Sequence, residues 1–368
     1  MKIEYLKIKN YKQFNSLKLD LTYPKGHKKE GQPLDKICII GQSGTGKTNL
    51  LEIIRDKKNS DNLKIVFKKE KISIYEKIYF SSAEKESKQT IEDKKFIDIR
   101  DANLWRLLKE KINSYDTEKG KYTRKLSNKL IHNREYSKED FILDMKKWES
   151  ENENILEKIA DDINSIIKKF NLELKIDEDT NSYEELVIKD LSNGNVINYD
   201  EVSTGTKNLL STFIPLKSYN PKDSIILIDE PENSFYPDIQ KELTDLYMSV
   251  GENNQLIMAT HSPLIASSFE PWEVVELKFD RDNQIYRELY YEGENHINNY
   301  TLDPRMLTWT SILVDIFDLK EDSSSLREKK LMEYLMIKDT IMGMEKGEAR
   351  DEKIREFKKL SRLLGLQN

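Results

Sequence analysis

Short apolar runs recur near both ends of the chain, each of a length that suits a buried strand. Such runs cover residues 37–40, 224–228, 256–259 and 274–279, and a further strand pattern covers 285–291. Helical spacing of apolar residues follows the first of these runs, at 50–54, and precedes the second, at 209–214. Buried strands that alternate with helices predict an α/β fold with a mixed sheet.

The middle of the chain has a different pattern, because residues 84–172 are highly charged and helical in composition. The clearest helical stretch spans 137–170 and is interrupted only at Asn152. Its apolar positions, spaced by threes and fours, are Phe141, Met145, Trp148, Ile155, Ile159, Ile163, Ile166 and Phe170. This spacing predicts a helical lobe or a short antiparallel coiled coil. A hairpin follows at 185–190 and 196–199, and charged helices are predicted from about 308 to 364.

These patterns predict four parts. Residues 1–83 and 181–300 would form the two halves of one α/β head, with an inserted helical lobe at 84–180. Residues 301–368 would form a C-terminal helical extension.

Composition adds limits on chemistry and location. The chain has 368 residues, 34% of them charged, and a net charge of −6, so any DNA contact must be local. Its single cysteine, Cys38, excludes a disulfide framework and a metal site built from several cysteines. No apolar run reaches membrane-spanning length and the N-terminus shows no signal region, so we expect a soluble, cytoplasmic protein without membrane contact.

The segment GQSGTGKT at 41–48 lies between an apolar strand pattern and a helical one, which is the context of a phosphate-binding P-loop. Its glycines let backbone N–H groups point at phosphate oxygens, Lys47 would reach the β- and γ-phosphates, and Thr48 would bind Mg²⁺. The predicted ATP-binding residues here are Gly41, Gln42, Ser43, Gly44, Thr45, Gly46, Lys47, Thr48 and Asn49.

Two acidic residues, Asp229 and Glu230, follow the apolar run 224–228 in the segment ILIDEPE. Ligands bind at the carboxyl ends of strands in open α/β sheets. We therefore expect Asp229 to hold Mg²⁺ and Glu230 to polarise the attacking water. His261, after the strand pattern 256–259 in ATHSP, is placed to hydrogen-bond the γ-phosphate.

The segment VSTGTK at 202–207 opens an apolar helix, so Ser203 and Gly205 lie at a second anion-binding helix N-terminus. One interpretation is that this terminus serves a γ-phosphate held by another subunit. A simple N-cap at Ser203 explains the pattern equally well.

The four segments, in this order, resemble the ABC-type ATPase superfamily. The resemblance is to its soluble branch, which includes SMC and RecF heads and the OLD-like and Septu-type ATPases of bacterial phage defence. Residues 3–14 resemble the first strand and turn of that branch. Residues 229–237 resemble its D-E-P-E-x-x-L-H-P run, with Tyr236 where histidine is usual. The resemblance covers roughly residues 1–56 and 180–266.

The resemblance implies a homodimer or higher homo-oligomer that closes head-to-tail around ATP and Mg²⁺. Ser203 and Gly205 would contact ATP bound to the opposite subunit, and Asp238 would lie near the dimer contact. Lys47, Glu230 and His261 would be the catalytic residues. Family members also carry a glutamine before the helical lobe that senses metal and nucleotide. Gln89 is the sole candidate between Gln42 and Gln240, although an ordinary exposed glutamine is an equal alternative.

The same resemblance implies a sensor or regulatory ATPase of an anti-phage system, acting on a separate nuclease or toxin effector. The alternative is a RecF-like DNA-binding ATPase of repair or recombination. A transporter subunit is disfavoured, because Glu232 and the run 235–237 differ from the transporter pattern.

Two further segments have alternative interpretations. Residues 292–294 read Glu-Gly-Glu, as in a TOPRIM nuclease, but no Asp-x-Asp follows, so we interpret them as a turn and expect no nuclease site. A basic stretch could contact DNA, although a solvated helix face is the favoured interpretation. Its residues are Lys119, Lys121, Arg124, Lys125, Lys129 and Arg134.

Overall fold

The computed structural model describes residues 1–56, 63–68, 78–81, 97–98, 102–152, 154, 160–161, 164, 167–168, 171–177, 185–197, 201–319 and 323–366. Gln89 lies outside the described residues. The chain divides into two compact units, Met1–Leu307 and Thr308–Asn368. The finer four-part division stays a prediction.

A seven-stranded sheet forms the centre of the first unit. Its strands are β3 (Lys36–Gly41), β5 (Ile78–Ser81), β6 (Ile97–Asp98), β10 (Ile225–Asp229), β11 (Gln255–Ala259), β12 (Val274–Phe279) and β13 (Ile285–Glu288). Their order across the sheet is β13-β12-β3-β11-β10-β5-β6. Neighbouring strands are parallel except for the antiparallel pair β12 and β13. The mixed α/β sheet predicted from the apolar runs is confirmed.

A three-stranded antiparallel sheet packs beside it, with β1 (Lys2–Tyr11) between β2 (Phe14–Asp20) and β4 (Leu63–Lys68). Its inner face joins the core that also contains the apolar side of α1 (Lys47–Asp56). A second antiparallel sheet contains β7 (Leu172–Asp177), β8 (Glu185–Asp190) and β9 (Val196–Ile197). The hairpin predicted at 185–190 and 196–199 is therefore present within the described residues.

The other helices of the first unit are α2 (Ala102–His132), α3 (Lys138–Glu151), α4 (Thr204–Tyr219), α5 (Pro237–Met248) and α6 (Pro263–Ala266). The second unit contains α7 (Trp309–Asp315), α8 (Ser325–Gly343) and α9 (Glu348–Leu364). Within the described part of the chain, no helix is both long and apolar enough to span a membrane. Residues 292–294 form a bend, as predicted.

The interruption predicted at Asn152 in the helical stretch 137–170 is present, because α3 ends at Glu151. Most of residues 153–170 lie outside the described part of the chain. Asn152 adopts an extended backbone, and both its N–H and its side-chain amide donate to the carbonyl of Trp148, at 2.9 and 2.8 Å. These two bonds use the carbonyl at the helix end and stop the helix. Trp148 also packs on Tyr115 and Tyr122 of α2, so α2 and α3 form a helical pair.

Carboxylates of α3 neutralise part of the basic stretch on α2. Lys119 lies 3.4 Å from Glu149, and Lys129 lies 3.7 Å from Asp144. Lys121, Arg124 and Lys125 are exposed. The DNA contact stays a prediction, and the surroundings of Lys119 and Lys129 favour the solvated helix face.

Candidate nucleotide site

The glycine-rich loop leaves the carboxyl end of β3 and leads into α1, as the sequence predicts. Gly41, Gly44 and Gly46 have φ values of 147°, 88° and 85°, which side-chain-bearing residues rarely adopt. A Cβ atom on Gly41 would lie 2.4 Å from the carbonyl oxygen of Leu277. Backbone freedom and close packing therefore both require glycine in this loop.

Lys47 lies at the start of α1 with its side chain folded onto the loop. Its ammonium group donates to the carbonyls of Gly41 and Gln42, at 2.8 and 3.3 Å. The residue is only 6% exposed, and burial lowers the pKa of Lys47, while the charges of Asp229 and Glu230 oppose that shift. This places a buried cation at the loop that would hold the phosphates.

Asp229 ends β10, and its carboxylate accepts a hydrogen bond from the Thr48 hydroxyl. Asp229 is 3% exposed, and burial raises its pKa to about 6. A hydroxyl and a carboxylate are the hard oxygen ligands that suit Mg²⁺, and a buried carboxylate gains from a nearby divalent cation. The two residues predicted to bind the metal are therefore adjacent and fit the ion.

Glu230 has an unusual backbone conformation, with φ of 46°. Left-handed conformations cost such residues about 1–2 kcal/mol, so the surrounding contacts must hold it there. One of them is the hydrogen bond from its N–H to the carbonyl of Ala259, at 2.8 Å. Its charge acts on the pKa values of Lys47, Asp229 and His261, so the four ionisable groups form one cluster.

His261 follows β11, and burial lowers its pKa, with a further contribution from the charge of Lys47. The imidazole is therefore neutral near pH 7 and can donate one hydrogen bond. Glu232 fixes the main chain here, because its carboxylate accepts from the N–H of His261 at 2.6 Å and from the Thr260 hydroxyl at 2.7 Å. The structure thus brings the P-loop, Asp229, Glu230 and His261 together at the carboxyl ends of three adjacent strands.

Residues 36–267 match a protein family described as "AAA domain, putative AbiEii toxin, Type IV TA system". The chain belongs to this family. The match covers the P-loop, the acidic pair and His261, so the predicted P-loop NTPase fold and ATPase class are confirmed. The resemblance to OLD-like and Septu-type ATPases stays a prediction.

Solved SMC head domains are similar to this AAA domain at low identity. One is an Smc head bound to the C-winged helix domain of ScpA, with a TM-score of 0.41, 14% identity, and coverage of 78% of this chain and 98% of that chain. A Pyrococcus furiosus Smc head has a TM-score of 0.41 and 14% identity, with coverage of 78% of this chain and 96% of that chain. An SMC head from Thermotoga maritima has a TM-score of 0.40 and 10% identity, with coverage of 78% of this chain and 99% of that chain. No curated protein matches the chain.

Ser203 caps α4 of the AAA domain. Its hydroxyl accepts from the N–H of Thr206 at 3.2 Å, so the cap predicted as one alternative is formed. Gly205 is buried, and a Cβ atom on it would lie 2.3 Å from the carbonyl oxygen of Ser234. The glycine is therefore required by packing within its own chain, whereas the contact of Ser203 and Gly205 with a partner's ATP stays a prediction.

The turn between β1 and β2 lies against the P-loop of the AAA domain, which sequence reasoning did not predict. Gln13 accepts a hydrogen bond from the Asn49 side chain at 2.9 Å, and a Cβ atom on Gly46 would lie 1.6 Å from the Gln13 amide nitrogen. Lys12 donates to Asn49 and Glu52, at 2.9 and 2.7 Å. The resemblance of residues 3–14 to a family turn was the available signal, but it assigned no contact.

Gln240 is a second residue that sequence reasoning missed. Its amide nitrogen donates to the carbonyl of Phe235 at 2.9 Å, and its amide oxygen accepts from the Ser262 hydroxyl at 2.5 Å. It therefore joins the loop after Glu230 to the start of α6. No local pattern marks such a role, because the contact depends on two segments that are distant in sequence.

Proposed function

We propose that this chain is an ATPase switch that hydrolyses ATP in a site completed by a second copy of itself. The observation that carries the proposal is the arrangement of the α4 N-terminus. Ser203 and Thr204 are exposed there, while Gly205 packs on Ser234 in the loop that follows Glu230. An exposed helix N-terminus attached to the hydrolysis loop is suited to contact the γ-phosphate of a partner.

In this proposal the chain's own residues act by positioning and charge. The P-loop amides and Lys47 bind the β- and γ-phosphates, and Thr48 and Asp229 hold Mg²⁺. That ion, when bound, supplies charge neutralisation at the phosphate oxygens. Glu230 accepts the proton of the attacking water, and the neutral His261 donates a hydrogen bond to the γ-phosphate.

Phosphoryl transfer depends mainly on positioning and charge stabilisation. Removing Ser203 of the partner from the site would therefore stop hydrolysis without moving Lys47 or Glu230. ATP binding would close the pair head-to-tail, and hydrolysis would reopen it. Oligomerisation is then part of the mechanism.

The proposed biological role is that of a cytoplasmic sensor or regulatory subunit in a bacterial anti-phage system that controls a separate nuclease or toxin. The family description names a toxin and a type IV toxin–antitoxin system, which supports a role in the control of a toxic effector. A RecF-like role in DNA repair is the second candidate.

A Glu230→Gln variant tests the switch. It should bind ATP but hydrolyse it at least about 100-fold more slowly, because the proton acceptor is lost. Size-exclusion chromatography with light scattering should then give twice the monomer mass with ATP and Mg²⁺, and the monomer mass without them. Glu252→Gln, at an exposed surface position, is the matched control and should behave as wild type. A constant monomer mass of Glu230→Gln under both conditions would exclude the shared site.

A further inference from the structure

The outer face of the β2-β1-β4 sheet carries a row of lysines that the nucleotide site does not use. Lys7 on β1 lies directly opposite Lys18 on β2 and Lys64 on β4. Lys9, two residues further along β1, faces the same side. We call these four residues the lysine row.

The lysine row is electrostatically unfavourable within the protein itself. Like charges directly opposite each other destabilise a sheet. In the described part of the chain, none of the four lysines forms an ion pair, although the whole chain has a net charge of −6. The charges of Lys9, Lys18 and Lys64 lower the pKa of Lys7. Since folding gains nothing from this arrangement, the row points to an anionic ligand.

A cavity of about 410 Å³ adjoins the row, and Lys18 belongs to both. Its walls include the aromatic side chains of Tyr5, Tyr286 and Tyr291, together with Arg287. Tyr5 and Lys18 belong to the outer face of the same sheet. The cavity therefore continues the charged face as an aromatic recess.

Arg287 brings a positive charge to the wall of this recess. Its two terminal nitrogens donate to the carbonyls of Asp20 and Val274, at 2.8 and 3.3 Å. Its Nε atom is buried and has no hydrogen-bond partner among the described residues. Because this atom has no exposed surface, Arg287 offers a ligand in the recess its positive charge and not a free hydrogen-bond donor.

We propose that this surface binds single-stranded nucleic acid, with backbone phosphates along the lysine row and a base in the tyrosine-lined cavity. Side chains on neighbouring strands are about 4.8 Å apart, and those two residues apart on one strand are separated by about 6.8 Å. Such spacing lets the four ammonium groups follow a flexible phosphate backbone. Exposed bases stack on aromatic side chains, and this combination of charge and aromatic surface is typical of single-strand binding.

The tyrosines favour this ligand over an acidic protein segment, which would use the lysines alone. They also favour a single strand over a duplex, whose bases are already stacked and paired. The basic stretch of α2 is the weaker candidate, because Glu149 and Asp144 already neutralise Lys119 and Lys129.

Fluorescence anisotropy with the full chain and a labelled oligo-dT strand tests the proposal. The Lys7→Gln, Lys18→Gln, Lys64→Gln variant should bind at least about tenfold more weakly, and the slope of log K against log salt should fall by about 2. The matched control is Lys121→Gln, Arg124→Gln, Lys125→Gln, which removes the same charge from α2 and should bind as wild type. The proposal is overturned if the control loses the binding and the sheet variant keeps it.

A second variant tests the cavity. Tyr5→Leu with Tyr286→Leu should weaken single-strand binding roughly tenfold while the salt slope stays unchanged, because stacking and not charge is lost. A duplex of the same sequence should bind more weakly than the strand and should not distinguish this variant from wild type. Competition by polyglutamate as strong as that by oligo-dT, with no effect of the tyrosine changes, would instead identify an acidic-protein site and refute the proposal.

The Tm of each variant, measured by thermal unfolding, shows whether a loss of binding is due to a loss of the fold. Replacing opposed lysines by glutamine removes repulsion, so the Tm of the lysine variant should not fall. Lys18→Gln alone, at an exposed position, should give a smaller loss of binding in the same direction. Binding needs no hydrolysis, so the Glu230→Gln variant should bind the strand as wild type does, and this keeps the test independent of the proposed switch.

Discussion

Glu232 holds the main chain of His261 in place, because its carboxylate accepts the His261 N–H at 2.6 Å. The same carboxylate accepts the Thr260 hydroxyl at 2.7 Å. Burial raises the pKa of Glu232, and these hydrogen bonds oppose the rise. One side chain, two residues after Glu230, therefore joins the loop after β10 to the loop after β11.

A Glu232→Ala change should lower kcat by about 10–100-fold with little change in KM, because His261 loses its position while the P-loop is untouched. It should also cost about 1–3 kcal/mol of unfolding free energy, since the buried Thr260 hydroxyl and the His261 N–H lose their acceptor. Glu232→Gln keeps one acceptor oxygen and should fall between wild type and Glu232→Ala. Steady-state ATPase assays and urea unfolding measure both effects. A wild-type kcat for the alanine variant would show that Glu232 does not position His261.

Asp229→Asn should abolish hydrolysis and yet stabilise the protein at neutral pH without Mg²⁺. Burial raises the folded-state pKa of Asp229 from its usual 3.8 to about 6. The contribution of the protonated Asp229 carboxyl group to stability is therefore fully present below pH 3.8, and it is lost as the pH rises through about 6. Above about pH 6 wild type must bury a charge that asparagine lacks, at a cost of about 2–3 kcal/mol.

Urea unfolding at pH 4.5 and pH 7.5 measures that effect. The stability of Asp229→Asn relative to wild type should increase with pH. The pH-dependent contributions of other buried carboxyl groups, such as Glu273, cancel in this difference because both proteins contain them. Added Mg²⁺ should raise the Tm of wild type more than that of the variant. An equal stability difference at the two pH values would contradict the burial argument.

Gly205→Ala should destabilise the protein by about 1–3 kcal/mol, since the new methyl group would overlap the Ser234 carbonyl. The displaced loop carries Glu230, so ATPase activity should fall as well. Gly120→Ala is the matched control, because Gly120 lies in α2 with no atom within 4 Å of the added Cβ. That change should raise stability by up to about 1 kcal/mol. An equal Tm for wild type and Gly205→Ala would show that the loop containing Ser234 can move to accommodate the methyl group without loss of stability.

Two inactive variants should restore activity when mixed. Lys47→Ala removes the P-loop cation, and Ser203→Arg blocks the α4 N-terminus, so neither homodimer has a complete site. A mixed pair has one complete site, and an equal mixture should recover about a quarter of wild-type activity if the two sites act independently. Ser324→Arg is the control for the second change, because Ser324 caps α8 with the same type of hydrogen bond. Activity no greater than the sum of the separate variants would argue against a shared site.

The sequence predicted the central sheet and the main site because both depend on local patterns. The strand runs before Gly41, Asp229 and His261 are short and apolar, and each motif follows its strand directly. Parallel pairing then brings the carboxyl ends of β3, β11 and β10 together without further information.

Contacts between distant segments could not be predicted in this way. The left-handed backbone of Glu230 depends on its bond to Ala259, and the packing of Gln13 depends on the β1–β2 turn. The helical spacing located the interruption at Asn152, but it did not predict the two hydrogen bonds to Trp148 that end α3. Periodicity records which face is apolar, whereas a terminus is set by the hydrogen bonds of one residue.

The close contact between Gly205 and Ser234 has a consequence for a pair of such molecules. Since no atom fits between them, the cap that completes the partner's site must move whenever the loop after Glu230 moves. In the proposed pair, a change of nucleotide in one copy would then shift the main chain at the site of the other copy, because Gly205 and Ser234 move together. Each site would hydrolyse its own ATP, while the main chain transmits its nucleotide state to the other copy.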